Sequence, residues 1–371
     1  MAIWKIDELG EFVTLKRGYD LPQQKRKNGE IPIFSSSGVT GTHNEAMVEA
    51  PGVITGRYGT IGEVFFAETS FWPLNTTLYV ENFHENDEKF VYYFLKTLEW
   101  KKFASASAVP GINRNTVHKE IVRFPDFETQ QKIASVLSAI DKKIAVNKAI
   151  NDNLEQQAVT YFQELYINNA NPMWQIGTIS DLGTVVGGST PSKTKPEYYT
   201  NNGIAWITPK DLSINKSKFI SHGENDITEL GLKNSSATVM PKGTVLFSSR
   251  APIGYIAIAS NEVTTHQGFK SVIPYLEIGT AFVYFFLKHS LPVIESAASG
   301  STFKEISGSA MKNIPAIIPD RSTLDQFNSF CAPIFAQQKI LEDQNYSLAM
   351  LRDSLLPKLM SGAIDIAGIQ L

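Results

Sequence analysis

The sequence contains one long internal repeat, which limits the folds that its 371 residues can adopt. The stretch that opens at Trp4 is matched, element by element, by the stretch that opens at Trp174. Each copy holds a Gly-rich turn with an arginine, an aromatic helix, a strand that ends at proline and a long polar–apolar helix. The offset of about 170 residues far exceeds the roughly 20–50 residues of solenoid repeats. We therefore expect a duplicated domain that binds two similar but not identical things.

The two copies differ in length. The offset grows to 192 residues at the aromatic helices, where Phe90 is matched by Phe282. The second copy therefore carries an insertion of about twenty residues in its front half. Its Gly-rich turn at Arg250, by contrast, is one residue shorter than the turn at Arg57.

Composition is typical of a folded protein and excludes several classes. With 43% hydrophobic residues the chain can form packed cores. The single cysteine, Cys331, excludes an internal disulfide framework, and the six histidines lack metal-ligand spacing. Neither a signal pattern nor an apolar run of membrane-spanning length is present, so we expect the cytoplasm and no membrane partner. The net charge of −3 argues against nucleic-acid binding through bulk charge, although basic residues cluster early in both copies.

Both long helical segments carry an apolar stripe that recurs about every 3.5 residues, which is typical of a coiled coil. We expect the two stripes to pack on each other, with an intermolecular coiled coil as the alternative. The predicted seam of the first is Ile133, Leu137, Ile140, Ile144, Asn147, Asn151, Leu154, Ala158, Tyr161 and Leu165. The predicted seam of the second is Phe327, Cys331, Ile334, Gln337, Leu341, Gln344, Leu348, Leu351, Leu355 and Leu359.

The remaining segments consist of short β-branched and aromatic runs between Gly, Pro, Asn and Ser turns, which predict strands. The fold class is therefore α/β (α+β), with two pseudo-symmetric mixed domains joined by two long helices. The predicted domains are 1–126, a central helix over 127–170, a second domain over 171–320, and a C-terminal helix over 321–371.

The order of these motifs resembles the specificity subunit of type I restriction-modification systems. The resemblance rests on the Trp-led starts, the RYGTIG and RAPIG turns, the FVYYFL and FVYFFL helices, and the helix starts PDFETQQ and PDRSTLDQ. It also includes EQQAVTYFQELY before the second tryptophan and LRDSLLPKLMSGAID near the C-terminus. The resemblance covers nearly the whole chain.

The resemblance implies a DNA-reading scaffold without catalytic activity. Each domain would be a target recognition domain that reads one half of a bipartite, asymmetric site in double-stranded DNA. The helices would form an antiparallel coiled coil that separates the domains and docks two methyltransferase subunits, with restriction/translocase subunits in the full complex. S-adenosylmethionine, ATP and Mg²⁺ would bind only to the partner subunits. Two readers on one duplex face need half-sites about one helical turn, roughly 34 Å, or a multiple of it apart.

Candidate DNA contacts follow from residue type, because Arg or Lys reads guanine and Asn or Gln reads adenine. For Arg57 and Arg250, tying down the turn is an equally good interpretation, and an exposed loop residue is the alternative for each of the others. The predicted base-edge readers are Arg57, Asn75, Arg114, Arg250, Gln267 and Lys304. Serines at Ser35, Ser36, Ser37, Ser248 and Ser249 are predicted phosphate or base contacts. The predicted phosphate contacts are Lys16, Arg17, Lys25, Arg26, Lys27, Lys193, Lys195 and Lys210.

Catalytic motifs are incomplete in this sequence. Gly183–Ser189 has the glycine spacing of a phosphate loop, but Ser189 stands where the lysine belongs. Asn171-Pro-Met-Trp lacks the second proline of the amino-methyltransferase element. One non-catalytic alternative stays open, namely a duplicated ligand-binding module on a coiled-coil scaffold that does not touch DNA.

Overall fold

A computed structural model describes residues 3–105, 110–300 and 304–366. The chain forms two compact units, Met1–Ala145 with Tyr346–Leu371, and Val146–Asn345. Each unit combines sheets with helices, which confirms the predicted mixed α/β class. Each long helix contributes one part to each unit, because α3 and α10, defined below, both cross the division.

The first half of the chain supplies nine strands and three helices to the described structure. In chain order these are β1 (Trp4–Glu8), β2 (Thr14–Arg17), β3 (Ile31–Ser35), β4 (Gly38–His43), β5 (Gly52–Gly56), β6 (Val64–Ala67), β7 (Trp72–Pro73), β8 (Thr77–Asn82), α1 (Glu88–Thr97), α2 (Arg114–His118), β9 (Ile121–Pro125) and α3 (Phe127–Gln163). A π-helical turn, Glu164–Asn168, extends α3.

Three sheets form the first unit. The strand orders are β2-β8-β5-β6, β4-β3-β7 and the ribbon β1-β9. The aromatic helix α1 starts where Asp87 accepts a hydrogen bond from the Phe90 amide at 2.8 Å, a side-chain N-cap that satisfies one free N–H of the first turn. Its Phe90 is fully buried and its ring lies 5.2 Å from that of Phe124 on β9. The predicted aromatic helix therefore forms the core beneath the main sheet.

The second half supplies eleven strands and seven helices within the described ranges. These are β10 (Gln175–Thr178), α4 (Ile179–Leu182), β11 (Gly183–Gly187), β12 (Tyr199–Thr200), β13 (Ile204–Ile207), α5 (Pro209–Ile214), β14 (Phe219–Ile220), β15 (Asn225–Ile227), α6 (Glu229–Lys233), β16 (Val245–Ser249), β17 (Ile253–Ala259), β18 (Thr264–Thr265), β19 (Lys270–Pro274), α7 (Thr280–His289), α8 (Leu291–Ser296), α9 (Gly308–Lys312), β20 (Pro315–Ile318) and α10 (Arg321–Met360).

The second unit repeats the topology of the first. Its main sheet has the order β11-β19-β16-β17-β14, whose first four strands correspond to β2-β8-β5-β6. β13 pairs in parallel with β18 as β3 pairs with β7, and β10-β20 matches the ribbon β1-β9. The predicted insertion lies between β13 and β16, where α5, β14 and α6 are added, while β15 pairs with β13 as β4 pairs with β3. The duplication seen in the sequence is thus a duplication of structure.

Both long helices begin after a Pro-Asp pair, and the aspartate also binds the opening segment of its copy of the repeat. Asp126 accepts from the Thr129 amide at 3.0 Å and from the Ile3 amide at 2.8 Å. Asp320 accepts from the Thr323 amide at 3.0 Å and from Nε1 of Trp174 at 3.0 Å. These donors lower the pKa of both carboxyls, because they stabilise the charged form.

The predicted seam of α3 and the turn after it is confirmed, because all ten positions are buried or half-buried. In the second unit the seam meets that of α10, where Tyr161 lies 6.0 Å from Phe327 and Asn147 donates to Asn345 at 3.0 Å. In the first unit Arg352 pairs with Asp141 at 2.8 Å. Within each unit, therefore, the two helices pack in antiparallel order inside one chain.

Two predicted seam positions of α10, Gln337 and Leu351, are wrong, because their side chains are exposed. The third, Gln344, is also exposed, but its Oε1 accepts from Nδ2 of Asn147 on α3 at 3.3 Å. The residue that follows each of these three faces α3. Gln338 donates to the Asn151 carbonyl at 3.1 Å, Asn345 accepts from Asn147, and Arg352 donates to Asp141. The seam of α10 therefore alternates steps of four and three residues without interruption, and polar side chains with polar partners occupy three of its positions.

Candidate nucleic-acid interface

In the first unit, three loops meet beside the ends of β5 and β8. The Arg57 amide donates to the Thr76 carbonyl at 2.9 Å, and the Ile112 amide donates to the Arg57 carbonyl at 3.1 Å. The Arg57 side chain is half-buried, donates from Nε to the Ile112 carbonyl at 3.3 Å and stacks 4.5 Å from the Tyr58 ring. The guanidinium therefore ties two loops together while part of it stays accessible.

The second unit contains the same backbone arrangement, one residue out of step with the arginine pairing in the sequence. Ser249 takes the place of Arg57, because its amide donates to the Gly268 carbonyl at 2.7 Å and its carbonyl accepts from the Ile306 amide at 3.1 Å. Arg250 consequently corresponds to Tyr58, and these two residues form equivalent bridges with Glu305 and Gly111. The Arg250 guanidinium pairs with Glu305 at 3.2 Å.

Asn75 and Gln267 occupy equivalent positions, as the sequence suggests. The residue before each, Leu74 or His266, donates its amide at 2.8 Å to the carbonyl of a residue near the end of the neighbouring parallel strand, Phe34 or Ile207. Asn75 donates to the Asp20 carboxylate, whereas Gln267 is exposed. The same turn therefore presents an occupied amide in one unit and an accessible amide in the other.

Two glycines build these turns, a role that the sequence motifs did not indicate for either of them. A Cβ on Gly18 would lie 2.2 Å from the Leu74 carbonyl oxygen, and one on Gly188 would lie 2.0 Å from that of His266. Only glycine permits such close backbone approach. Their equivalent positions in the repeat could have identified them, since each glycine lies 14 residues after the tryptophan that opens its copy (18 minus 4, 188 minus 174).

The predicted phosphate contacts fall into two groups. Some pair with carboxylates: Lys16 with Glu81 at 2.5 Å, Arg17 with Asp20 at 3.8 Å and Lys210 with Glu224 at 2.5 Å. The pairing raises the pKa of Lys16 and Lys210, mainly through the hydrogen bond to each carboxylate. The second group is exposed or half-exposed and forms no ion pair within the described ranges: Lys25, Arg26, Lys27, Lys193 and Lys195.

The remaining predicted contacts differ in accessibility. Ser36 is partly exposed beside the Arg57 loop, because its Oγ lies 3.3 Å from a Cβ built on Gly59. Arg114, the first residue of α2, is exposed and donates to the Leu15 carbonyl at 3.4 Å. Lys304 is exposed in the segment before Glu305. Ser249 is 0% exposed, so its side chain cannot reach a ligand on this surface, and that prediction is wrong.

Neighbouring Ser248 is also buried, and its Oγ donates to the Pro252 carbonyl at 2.8 Å. Both serines lie in β16, whose five residues are all buried. The strand therefore continues through the serines, and the accessible part of this turn begins at Arg250.

Metal-binding clusters and membrane-spanning helices are both absent from the described residues. No group of three or more His, Cys, Asp or Glu side chains there could hold a metal ion. Across the same part of the chain, every helix is too short or too polar to cross a bilayer.

Comparison with known proteins identifies one family. The family model of the type I restriction modification DNA specificity domain matches residues 1–156 and 171–343. The type I restriction enzyme MjaIX specificity subunit of Methanocaldococcus jannaschii is 43% identical over 162 residues, which cover 43% of this chain and 37% of that protein. The HindI specificity subunit of Haemophilus influenzae is 24% identical over 347 residues, covering 72% of this chain and 75% of that protein.

One solved structure has the same fold over nearly the full length. The S subunit of a type-I restriction-modification system from M. genitalium aligns with a TM-score of 0.66 at 17% identity, covering 97% of this chain and 96% of that one. At this identity the likeness concerns the fold alone.

Proposed function

The chain belongs to the family of the type I restriction modification DNA specificity domain, and from that premise we propose that it is the DNA-reading subunit of a type I restriction-modification complex. Each unit reads one half of a bipartite, asymmetric site. The protein itself carries no catalytic step. Methyl transfer and cleavage belong to partner subunits, which bind S-adenosylmethionine, ATP and Mg²⁺.

One observation carries this proposal. The two units hold equivalent backbone turns, fixed by equivalent hydrogen bonds, that present different side chains. Tyr58 corresponds to Arg250, and Asn75 to Gln267. Arg, Asn and Gln are the side chains that hydrogen-bond to purine edges in the major groove. Two equivalent frames with unlike side chains suit an asymmetric bipartite site.

The proposed DNA surface comprises accessible residues on or beside these turns. We assign base contacts to the accessible parts of Arg57, Asn75, Arg114, Arg250, Gln267 and Lys304, with Ser36 beside them. The cations without ion pairs, Lys25, Arg26, Lys27, Lys193 and Lys195, contact phosphates. Lys16, Arg17 and Lys210 contribute less, because each must first leave its carboxylate.

We further propose that the paired helices dock two methyltransferase subunits, through which the restriction subunits join. The recognition domains are assigned to 1–126 and 171–320, and the helical segments to 127–170 and 321–371. The protein works in the cytoplasm, where the host genome is methylated.

Methylation sequencing of a host that expresses this chain with its methyltransferase subunits tests the proposal. The expected result is one modified motif with two specified halves and a fixed gap. Replacing residues 171–319 with the corresponding domain of another specificity subunit should change one half only. A change in both halves would contradict the modular assignment.

Duplex binding separates this function from the alternative of a protein that does not touch DNA. Affinity for a duplex that carries the motif should fall steeply as salt rises, because phosphate contacts release counterions. The measurement is made with and without the methyltransferase subunit, since a net charge of −3 predicts weak binding by the chain alone. Absence of retention in both conditions would refute the proposal and leave the alternative.

A further inference from the structure

His266 stands at the centre of the second unit's turn and belongs to none of the predicted contacts. It follows β18 and precedes the exposed Gln267. A Cβ built on Gly268 would lie 3.2 Å from Nδ1 of His266 and 3.5 Å from Nε of Arg250, so the glycine brings the two side chains together. The imidazole also lies 5.7 Å from the ring of Trp206, which is 5% exposed. The imidazole is therefore held in place beside two proposed readers.

The hydrogen bonding of the ring fixes its tautomer. The Gly268 amide donates to Nδ1 of His266 at 3.0 Å, so Nδ1 carries the lone pair. The proton of the neutral ring therefore resides on Nε2, which becomes a donor. Within the described residues Nε2 has no hydrogen-bond partner, and the side chain is partly exposed.

The surroundings keep this donor neutral. Burial lowers the pKa of His266, and the nearby charges of Arg250 and Lys193 lower it further. Protonation of Nδ1 would also direct its N–H at the N–H of the Gly268 amide, so that two donors would face each other. A neutral donor gains less from a phosphate than a cation does, whereas it suits an acceptor on a base edge.

We propose that His266 is a specificity-determining residue of the second recognition domain, with Nε2 donating to a base-edge acceptor in the half-site that this domain reads. The inference rests on the proposed function. Suitable acceptors are purine N7, guanine O6 and thymine O4, all of which face the major groove.

The first unit supplies the contrast. Leu74 occupies the equivalent position, with the same amide hydrogen bond to the neighbouring strand. Leucine has no donor, so the first domain lacks this contact. The backbone frame also accepts leucine there, which makes His266→Leu a substitution that the fold tolerates.

The test compares His266→Leu, His266→Gln and the wild type as assembled complexes with their methyltransferase subunits. Genome methylation sequencing defines the motif, and competition among duplexes that differ at single positions measures discrimination. We expect His266→Leu to lose roughly tenfold or more discrimination at one position of one half-site. Glutamine carries an amide donor at a similar distance, so His266→Gln should retain most of it. His222→Leu, at an exposed histidine in the same unit, is the control and should leave the motif unchanged.

The outcomes separate the inference from its premise. An unchanged motif in a folded His266→Leu complex would overturn the role of His266 and leave the proposed function intact. Uniform weakening on all duplexes, with a shallower salt dependence, would identify a phosphate contact and overturn it as well. If the His266→Leu complex fails to assemble, His266→Gln provides the test. Loss of discrimination at several positions in that variant would overturn the role of His266. A wild type without a bipartite motif would refute the proposed function itself.

Discussion

Gly188 offers the sharpest test of how the recognition turn is built, because its neighbour Gly187 is a matched control. A Cβ at 188 would lie 2.0 Å from the His266 carbonyl oxygen and 2.6 Å from that of Thr265. A Cβ at 187 would meet nothing within 4 Å. Gly188→Ala should therefore disturb the turn, and Gly187→Ala should not.

The magnitude follows from the local hydrogen bonds. Relief of the contact requires the chains to separate by about 1 Å, since such atoms do not approach within 3.0 Å. The Gly188 amide donates to the Phe269 carbonyl at 3.2 Å, and the Ser189 amide donates to the Thr265 carbonyl at 2.8 Å. Loss of both bonds, at about 1 kcal/mol each, lowers the free energy of unfolding by about 2 kcal/mol.

Denaturant unfolding followed by circular dichroism measures this difference, and methylation sequencing reports its effect on recognition. Gly187→Ala should change stability by less than about 0.5 kcal/mol. Gly188→Ala should also weaken the half-site of the second unit, because its turn carries His266. Equal stability of the two variants would show that the turn adjusts without cost, which would refute the reasoning from close approach.

Further predictions concern buried polar groups. Lys218 is 7% exposed and pairs with Glu155, so Lys218→Met should lower the free energy of unfolding by about 2–3 kcal/mol. The control Lys216→Met, at an exposed lysine, should lower it by under about 0.5 kcal/mol in the same unfolding assay. Asn147→Leu should lower the free energy of unfolding by about 1 kcal/mol, because Asn345 and Gln344 both lose a hydrogen bond from it. Adding Asn345→Leu should recover most of this loss, since Gln344 is exposed to solvent. Burial lowers the pKa of His118, whose Nε2 accepts from the Leu15 amide. The stability that the neutral His118 ring contributes is therefore full above the ordinary pKa of 6.5 and is lost as the pH falls below it. Glutamine does not titrate, so the melting temperature of His118→Gln should fall less between pH 7.5 and 5.5 than that of the wild type.

The Lys218 value reflects what remains after the substitution. Glu155 keeps Lys288 at 2.6 Å, so no carboxylate is left without a cation there. Glu342 keeps the amides of residues 218 and 219 at 2.8 and 3.1 Å. The loss is thus smaller than that of an orphaned buried charge, and a cost above about 5 kcal/mol would contradict this account.

The repeat and the seam of α3 could be predicted from sequence because apolar periodicity records burial directly. The seam of α10 could not be predicted in full, since Leu351 continues the apolar stripe more plausibly than Arg352. The structure selects Arg352, because Asp141 supplies a partner at 2.8 Å. Apolar periodicity identifies hydrophobic positions that are buried, whereas the burial of a polar residue depends on a partner that is distant in the sequence.

The arginine pairing failed for a related reason. Letter similarity aligned Arg57 with Arg250, but backbone hydrogen bonds align Arg57 with Ser249. The first loop is one residue longer, so a match at arginine displaces the true correspondence by one position. Ser249 is buried for a separate reason, because it is the last residue of β16.

Correct alignment changes where the two halves differ. Position by position, the turns pair Arg57 with Ser249, Tyr58 with Arg250, and Leu74 with His266. In each pair the two residues carry different side-chain functional groups, while the backbone hydrogen bonds stay the same. Under the proposed function, specificity can therefore change at these positions without changing the frame, because the frame depends on Gly18 and Gly188 and on main-chain contacts. On that proposal, a duplicated fold reads an asymmetric site through a few side chains, and the long helices need not differ for it to do so.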